Sequence, residues 1–161
     1  MSPRPVIVSV LLLGALLAGA SRAEADLTAF LGSNTTPTNR PVRGLAVGMS
    51  LLLLGLEFEY SDTSADESGN ARRHAGMFNV LAQTPSLFGL QFYATVGGGV
   101  YREEGAELLE NSAATNTGGG VKVGLIGPLR MRFDYRVFQL RGESSPNRTH
   151  HRFYTGVNLA F

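Results

Sequence analysis

The chain has 161 residues, 14 basic and 13 acidic, a formal charge of +1 and no cysteine. That length suits one domain. It excludes a disulfide framework, a thiolate metal site and a lipid-modified cysteine, and it lacks the basic excess of a nucleic-acid binder.

The first stretch has the form of a secretory signal, with Arg4 as the positive region and Val6 to Leu17 as the apolar region. A spanning helix needs about 20 apolar residues, so this run predicts a cleaved signal instead. Ala23-Glu24-Ala25 is a small-x-small site, which predicts a signal peptide over 1–25 and a mature domain over 26–161. Cleavage after Ala23 or Ala20 satisfies the same rule. Losing Arg4, Arg22 and Glu24 with the signal takes the formal charge from +1 to zero.

Beyond it, apolar and small or polar residues alternate with a period of two, the signature of strands. Leu27 to Ser33 is a first strand, with Leu27, Ala29 and Leu31 on one face, followed by a loop from Asn34 to Pro41. Arg43 to Ser50 sets Leu45, Val47 and Met49 against Gly44, Ala46, Gly48 and Ser50. Leu54 to Ser61 sets Leu54, Leu56, Phe58 and Tyr60 against Gly55, Glu57 and Glu59, and Asp62 to Arg73 reads as a charged loop. Ala75 to Gln83 carries Phe78, Val80 and Ala82, and Thr84-Pro85-Ser86 makes a turn. Leu90 to Tyr101 sets Leu90, Phe92, Ala94, Val96 and Val100 against Gln91, Tyr93, Thr95, Gly97 and Gly99, before a polar loop from Glu103 to Thr115. Thr117 to Leu125 presents Val121, Val123 and Leu125 opposite Gly120, Lys122 and Gly124. Gly127-Pro128 turns the chain into Leu129 to Phe138, and Gly142 to Thr149 is the fourth polar loop. Phe153 to Phe161 closes the series.

Eight strands of roughly 10 residues fit the 136 residues that remain after the signal, whereas ten would leave little for the connections. Long polar connections alternate with short ones near Leu51–Leu53, Thr84–Leu87 and Ile126–Pro128, although the first of these has no turn chemistry. Long loops at one rim and short turns at the other predict a transmembrane barrel with the long loops outside the cell. Leu54 to Tyr60 and Leu129 to Tyr135 repeat one pattern, as two hairpins of one plan would.

The orientation of the wall follows from the non-apolar face. Its residues are small at Gly44, Ala46, Gly48, Ser50, Gly97, Gly99, Gly120, Gly124, Gly156 and Ala160, which suits a narrow lumen better than a solvated sheet. The large residues on it are Glu57, Glu59 and Asp134 with Lys122, Arg130, Arg132 and Arg136. An unpaired buried ion costs several kcal/mol, so these seven are expected to pair in a structural cluster inside the barrel. Arginine suits that role because its planar fork bridges two carboxylates. A packed ionic core, and not a conducting pore, is the expectation for eight strands. Tyr60, Phe88, Phe92, Tyr101, Tyr135, Phe153 and Phe161 lie near strand ends and are expected in aromatic girdles.

The signal, the eight alternating strands and the closing stretch together resemble the small outer-membrane β-barrel domain proteins of the OmpA/OmpX type, from bacteria with an outer membrane. The resemblance implies an all-β, antiparallel, up-and-down transmembrane barrel. It implies that Phe153, Val157, Leu159 and Phe161 form the signal read by the barrel assembly machinery. It also implies periplasmic chaperones during biogenesis, and outer-membrane lipid and lipopolysaccharide as surroundings. No peptidoglycan-binding domain follows the barrel, so that role of larger relatives is not implied.

The function expected is a non-enzymatic integral outer-membrane protein serving envelope structure, adhesion or protection, with any extracellular ligand met through its loops. Two alternatives stand beside it: a lipid A-modifying hydrolase or acyltransferase, and a soluble periplasmic lipocalin-like carrier. The first needs a base within reach of a nucleophile. His74, His150 and His151 all sit at strand starts, with Glu143, Ser144 and Ser145 near His150 only in sequence. No His-x-Ser pattern of the lipid A deacylase kind occurs. With Asp62, Asp66 and Glu67 the histidines have no fixed ligand spacing, so neither a metal nor a cofactor is expected.

Overall fold

A computed structural model describes residues 23–36, 38–65, 71–104, 109–141 and 149–161, the stretch 109–111 by its backbone alone. Residues 1–22, which hold the signal's Arg4, its apolar run and Ala20, lie outside the described residues. So do Asp66 and Glu67, and the loop segment 142–148 with Glu143, Ser144 and Ser145.

Eight strands form a closed antiparallel barrel in chain order. They are β1 (Glu24–Asn34), β2 (Arg40–Leu51), β3 (Leu54–Thr63), β4 (Arg72–Gln83), β5 (Leu90–Glu104), β6 (Leu109–Ile126), β7 (Leu129–Arg141) and β8 (Thr149–Ala160). Closure joins β1 to β8 in a register running from Asp26 opposite Ala160 to Asn34 opposite Arg152. Ala25 and Phe161 then exchange backbone hydrogen bonds of 2.9 Å each. Every strand therefore has two neighbours, and no edge is left to pair with another chain.

The strands run further than their apolar alternation suggests. Glu103–Glu104 and Leu109–Thr115 are paired strand and not loop, with Glu103 opposite Glu110. Asp62, Thr63, Arg72 and Arg73 likewise belong to β3 and β4. Backbone pairing continues through these polar residues because each ladder bond satisfies a donor and an acceptor whatever the side chain.

The opposite rim is made of tight turns. At Leu51–Leu54 the left-handed residue is Leu52, with φ of 56°, so a leucine holds a position that costs an L-residue about 1–2 kcal/mol. Thr84-Pro85-Ser86 is not the reversal itself. The chain turns at Phe88 and Gly89, both with positive φ, between Leu87 and Leu90, which exchange backbone hydrogen bonds of 2.9 Å. Gly127, with φ of 56°, carries the last turn, a conformation glycine enters without a Cβ clash.

The alternation sorts the side chains completely. Phe58, Phe92 and Phe133 are 52%, 56% and 38% exposed on the outer wall, whereas Glu59, Arg132 and Arg136 are at 0% in the interior. An apolar wall around an ionic interior is the reverse of a soluble carrier, whose container is apolar within. Tyr101 departs from the expected girdle: it points inward and is 3% exposed. It shares the parity of Tyr93, Thr95, Gly97 and Gly99, and packs with Met77, Ala114, Phe138 and Leu140.

Candidate functional site

The interior is filled from one rim to the other in layers. Nearest the tight turns, Arg130 pairs with Glu24 at 2.6 Å. One layer up, Lys122 donates to Asp26 at 2.6 Å, and Asn158 donates to Thr28 at 2.8 Å. Lys122 and Arg130 thus stand apart from the central cluster, on partners supplied by β1.

At mid-height Arg132 and Arg136 of β7 reach across the axis to β3. Arg132 pairs with Glu57 and, at 3.2 Å, with Asp134. Arg136 pairs with Glu57 at 2.8 Å, Asp134 at 2.9 Å and Glu59 at 3.2 Å. Of the seven charges expected together, five meet here: Glu57, Glu59, Arg132, Asp134 and Arg136. A sixth member comes from outside that set, since Arg152 of β8 donates to Glu59 at 2.6 Å. Six ions, three of each sign, then neutralise one another, and each guanidinium fork engages the carboxylates it faces.

Neutral groups complete the layer. Tyr93 donates to Asp134 and accepts from Arg132 Nε at 2.7 Å. Asn116 donates to Asn79 at 2.8 Å, and Asn79 to Glu57 at 3.2 Å. The guanidinium of Arg152 lies 4.6 Å from the Phe138 ring centre and 5.2 Å from that of Tyr154, where ring faces favour a cation. Tyr154 stacks on Phe30 with centroids 4.2 Å apart. Gly120 gives Tyr93 its place: a Cβ there would stand 2.5 Å from the hydroxyl and 2.1 Å from the Phe133 carbonyl.

Above this layer the apolar cluster of Met77, Tyr101, Ala114, Phe138 and Leu140 crosses the lumen, and Arg73 pairs with Glu103 beyond it. A cavity bordered by Arg73, Tyr101, His150 and Arg152 holds about 20 Å³, room for about one water and no more.

The outer wall has its own polar group. Among the described residues, the outward-facing charges Arg43, Asp62, Arg72, Arg102, Glu104 and Arg141 all lie at the rim opposite the tight turns. Asp62 stands above Tyr60 and the apolar part of β3. Arg72 donates to Oδ1 at 2.9 Å and to Oδ2 at 2.6 Å, and Arg43 donates twice to Oδ2, at 3.2 and 3.1 Å. The Arg72 hydrogen bonds, the largest effect, outweigh burial, the next, which raises the pKa; with those from Arg43 they hold its carboxyl at about 2.

The histidines expected at this rim are split between the two faces. His74 and His151 face outward and meet Tyr60 and Tyr135 at 2.9 and 2.7 Å, whereas His150 faces inward onto the Thr36 carbonyl at 2.7 Å. The two Tyr–His pairs, on β3–β4 and β7–β8, extend the internal repeat seen between Leu54–Tyr60 and Leu129–Tyr135.

Phe153, Val157, Leu159 and Phe161 share the outer face of the closing segment, exposed on the wall beside β1 and β7.

Neither a family model nor a curated protein matches the sequence. Solved structures do match in shape. Neisserial surface protein A (NspA) superposes with a TM-score of 0.71 at 12% identity, over 89% of this chain and 99% of that one. The N-terminal β-barrel domain of Pseudomonas aeruginosa OprF gives 0.68 at 13% identity, over 86% and 97%. This is the fold of the small outer-membrane β-barrels. That fold also carries an enzyme: the outer membrane enzyme PagL superposes at 0.56 with 12% identity, over 83% of this chain and 98% of its own.

Proposed function

We propose that the protein is an integral outer-membrane barrel without enzymatic activity, exported on a cleaved signal. It serves envelope structure, adhesion or protection through the rim that carries its polar connections. The observation behind this reading is the inversion of the wall, apolar outside and ionic inside, since only a lipid surrounding makes that distribution favourable. The filled lumen argues for a role at the surface and not in conduction. Outer-membrane lipid and lipopolysaccharide would surround it, and periplasmic chaperones and the barrel assembly machinery would deliver it through Phe153, Val157, Leu159 and Phe161.

Signal cleavage after Ala23 fits this reading better than cleavage after Ala25. Glu24 and Ala25 would then remain to pair with Arg130 and Phe161, and N-terminal sequencing of the exported protein would start at Glu24.

Fractionation of cells expressing the full chain tests the proposal. The protein should stay with outer membranes until detergent is added, and should migrate faster in a denaturing gel when unheated. Reconstituted in planar bilayers it should carry no steady conductance. Release by osmotic shock would overturn the membrane reading, and a sustained open channel would overturn the closed-lumen reading.

A further inference from the structure

The outer wall is uneven on one side. Where β8, β1, β2 and β3 run toward the charged rim, a groove of about 720 Å³ opens in the apolar surface. Outward side chains shrink there to Ala29 and Thr155, while Leu31, Leu45, Tyr60 and Val157 stand higher around them. The volume lies within the ~300–1,000 Å³ of sites that hold small ligands, and the groove is open along the side that faces lipid.

The upper end of the groove is closed by charge. Arg43 and Arg72 both border it, their side chains 69% and 44% exposed, with Asp62 bridging them from behind. Among the side chains that border the groove, two guanidiniums stand against one carboxylate; Glu104, opposite Arg72 on β5 and 3.6 Å from His74, lies outside the lining. Both forks keep donors free to turn toward an incoming anion, because Asp62 accepts from only one side. Below it the groove has almost no polar surface. An anion-binding end on an apolar trough matches one kind of molecule, an acyl chain carrying a phosphate.

We propose that this groove is a specific seat for a phosphorylated acyl lipid of the exterior leaflet, of the lipid A type. One acyl chain lies over Ala29 and Thr155 between Leu31, Leu45 and Val157. A headgroup phosphate is gripped by Arg43 and Arg72, and the Tyr60–His74 pair flanks it. The arrangement selects the exterior leaflet because the opposite rim, among the described residues, has no outward-facing charged side chain on the wall. The seat deepens the outer-membrane reading and rests on it.

Native mass spectrometry of the full exported protein, released from detergent micelles, tests the seat. The probes are bisphosphorylated lipid A, the same lipid enzymatically dephosphorylated, and phosphatidylethanolamine. One bound lipid A per barrel is expected, with the other two retained at least about tenfold less, the difference that one or two charge-assisted hydrogen bonds make. Arg43→Gln combined with Arg72→Gln should cut lipid A retention by about the same factor. Ala29→Trp, which fills the trough without touching the charges, should do so too. Inorganic phosphate in excess should not compete. Equal retention of dephosphorylated lipid A or of phosphatidylethanolamine would overturn the proposal, as would unchanged retention by both variants. Heat-modifiable migration of each variant reports separately on the barrel itself: if it is lost in the unsubstituted protein, the outer-membrane reading fails, and if it is kept while lipid selectivity is absent, only the seat fails.

Discussion

Arg136 on β7 and Glu57 on β3 stand on opposite staves of an eight-stranded wall, yet their side chains meet at 2.8 Å on the axis. Glu57 receives Arg132 as well, so one carboxylate ties two guanidiniums of β7 to the far side of the barrel. The interior is thus braced across its diameter and not only around its circumference.

Arg132→Leu tests that brace. It removes a buried cation and leaves Glu57 and Asp134 with fewer partners, a change worth about 3–5 kcal/mol when one side of a buried pair is lost. Equilibrium urea unfolding of the barrel refolded into detergent or lipid vesicles measures it. Arg130→Leu, whose Glu24 partner lies at the rim, should cost less than about 1 kcal/mol in the same assay.

Tyr93→Phe keeps the ring against Gly120 and removes only the hydroxyl that links Arg132 to Asp134. An unsatisfied buried group costs about 1–3 kcal/mol, and a loss in that range is expected by the same unfolding measurement. Gly120→Val should be worse than Tyr93→Phe, since it displaces both the ring and the neighbouring strand.

Leu52→Gly should stabilise the barrel by about 1 kcal/mol, by relieving the left-handed backbone at the β2–β3 turn. Faster refolding into vesicles is the accompanying expectation. A loss of stability would mean that the Leu52 side chain makes a contact worth more than the strain.

Asp62 makes a pH-dependent contribution of known sign. Its carboxyl is held at about 2 in the folded protein, below the ordinary 3.8. The stabilisation is therefore fully present above about pH 4 and fades as pH falls toward 2. The difference in melting temperature between the protein and Asp62→Asn should be at full size at about pH 4 and shrink as the pH falls below it. With both arginines exposed, its size should stay under about 1 kcal/mol.

At Phe161 a role in assembly and a role in stability can be tested apart. The residue is 72% exposed, and its backbone bonds to Ala25 do not depend on its side chain. Phe161→Ala should leave the unfolding midpoint of refolded protein within error while slowing insertion by purified assembly machinery. Equal insertion rates would remove the residue from the recognition signal.

Much of this was legible in the alternation. The number of strands, the outward set from Leu45 to Phe133 and the inward set around Glu57 and Asp134 follow from period two alone, because one residue's face determines the next. What the pattern hid lies where alternation turns polar on both faces. Arg152 sits one residue before the closing segment, and Asp26 one before the first, so the apolar alternation does not reach either, although each has the right parity. Residue type puts Tyr101 on the wall and its parity puts it inside, and parity prevails. Which ions meet is a matter of height along the axis, set by strand tilt and register. No local pattern records that Lys122 lies level with Asp26 and not with Glu57.

The joint between β1 and β8 has a bearing on how the protein is made. Residues 24–34 find their second partner only in residues 149–160, so the ring cannot close until both segments are present. Until then β1 and β8 are open edges whose outward-pointing backbone donors and acceptors lack partners. One seam, made between segments more than a hundred residues apart, satisfies both edges at once.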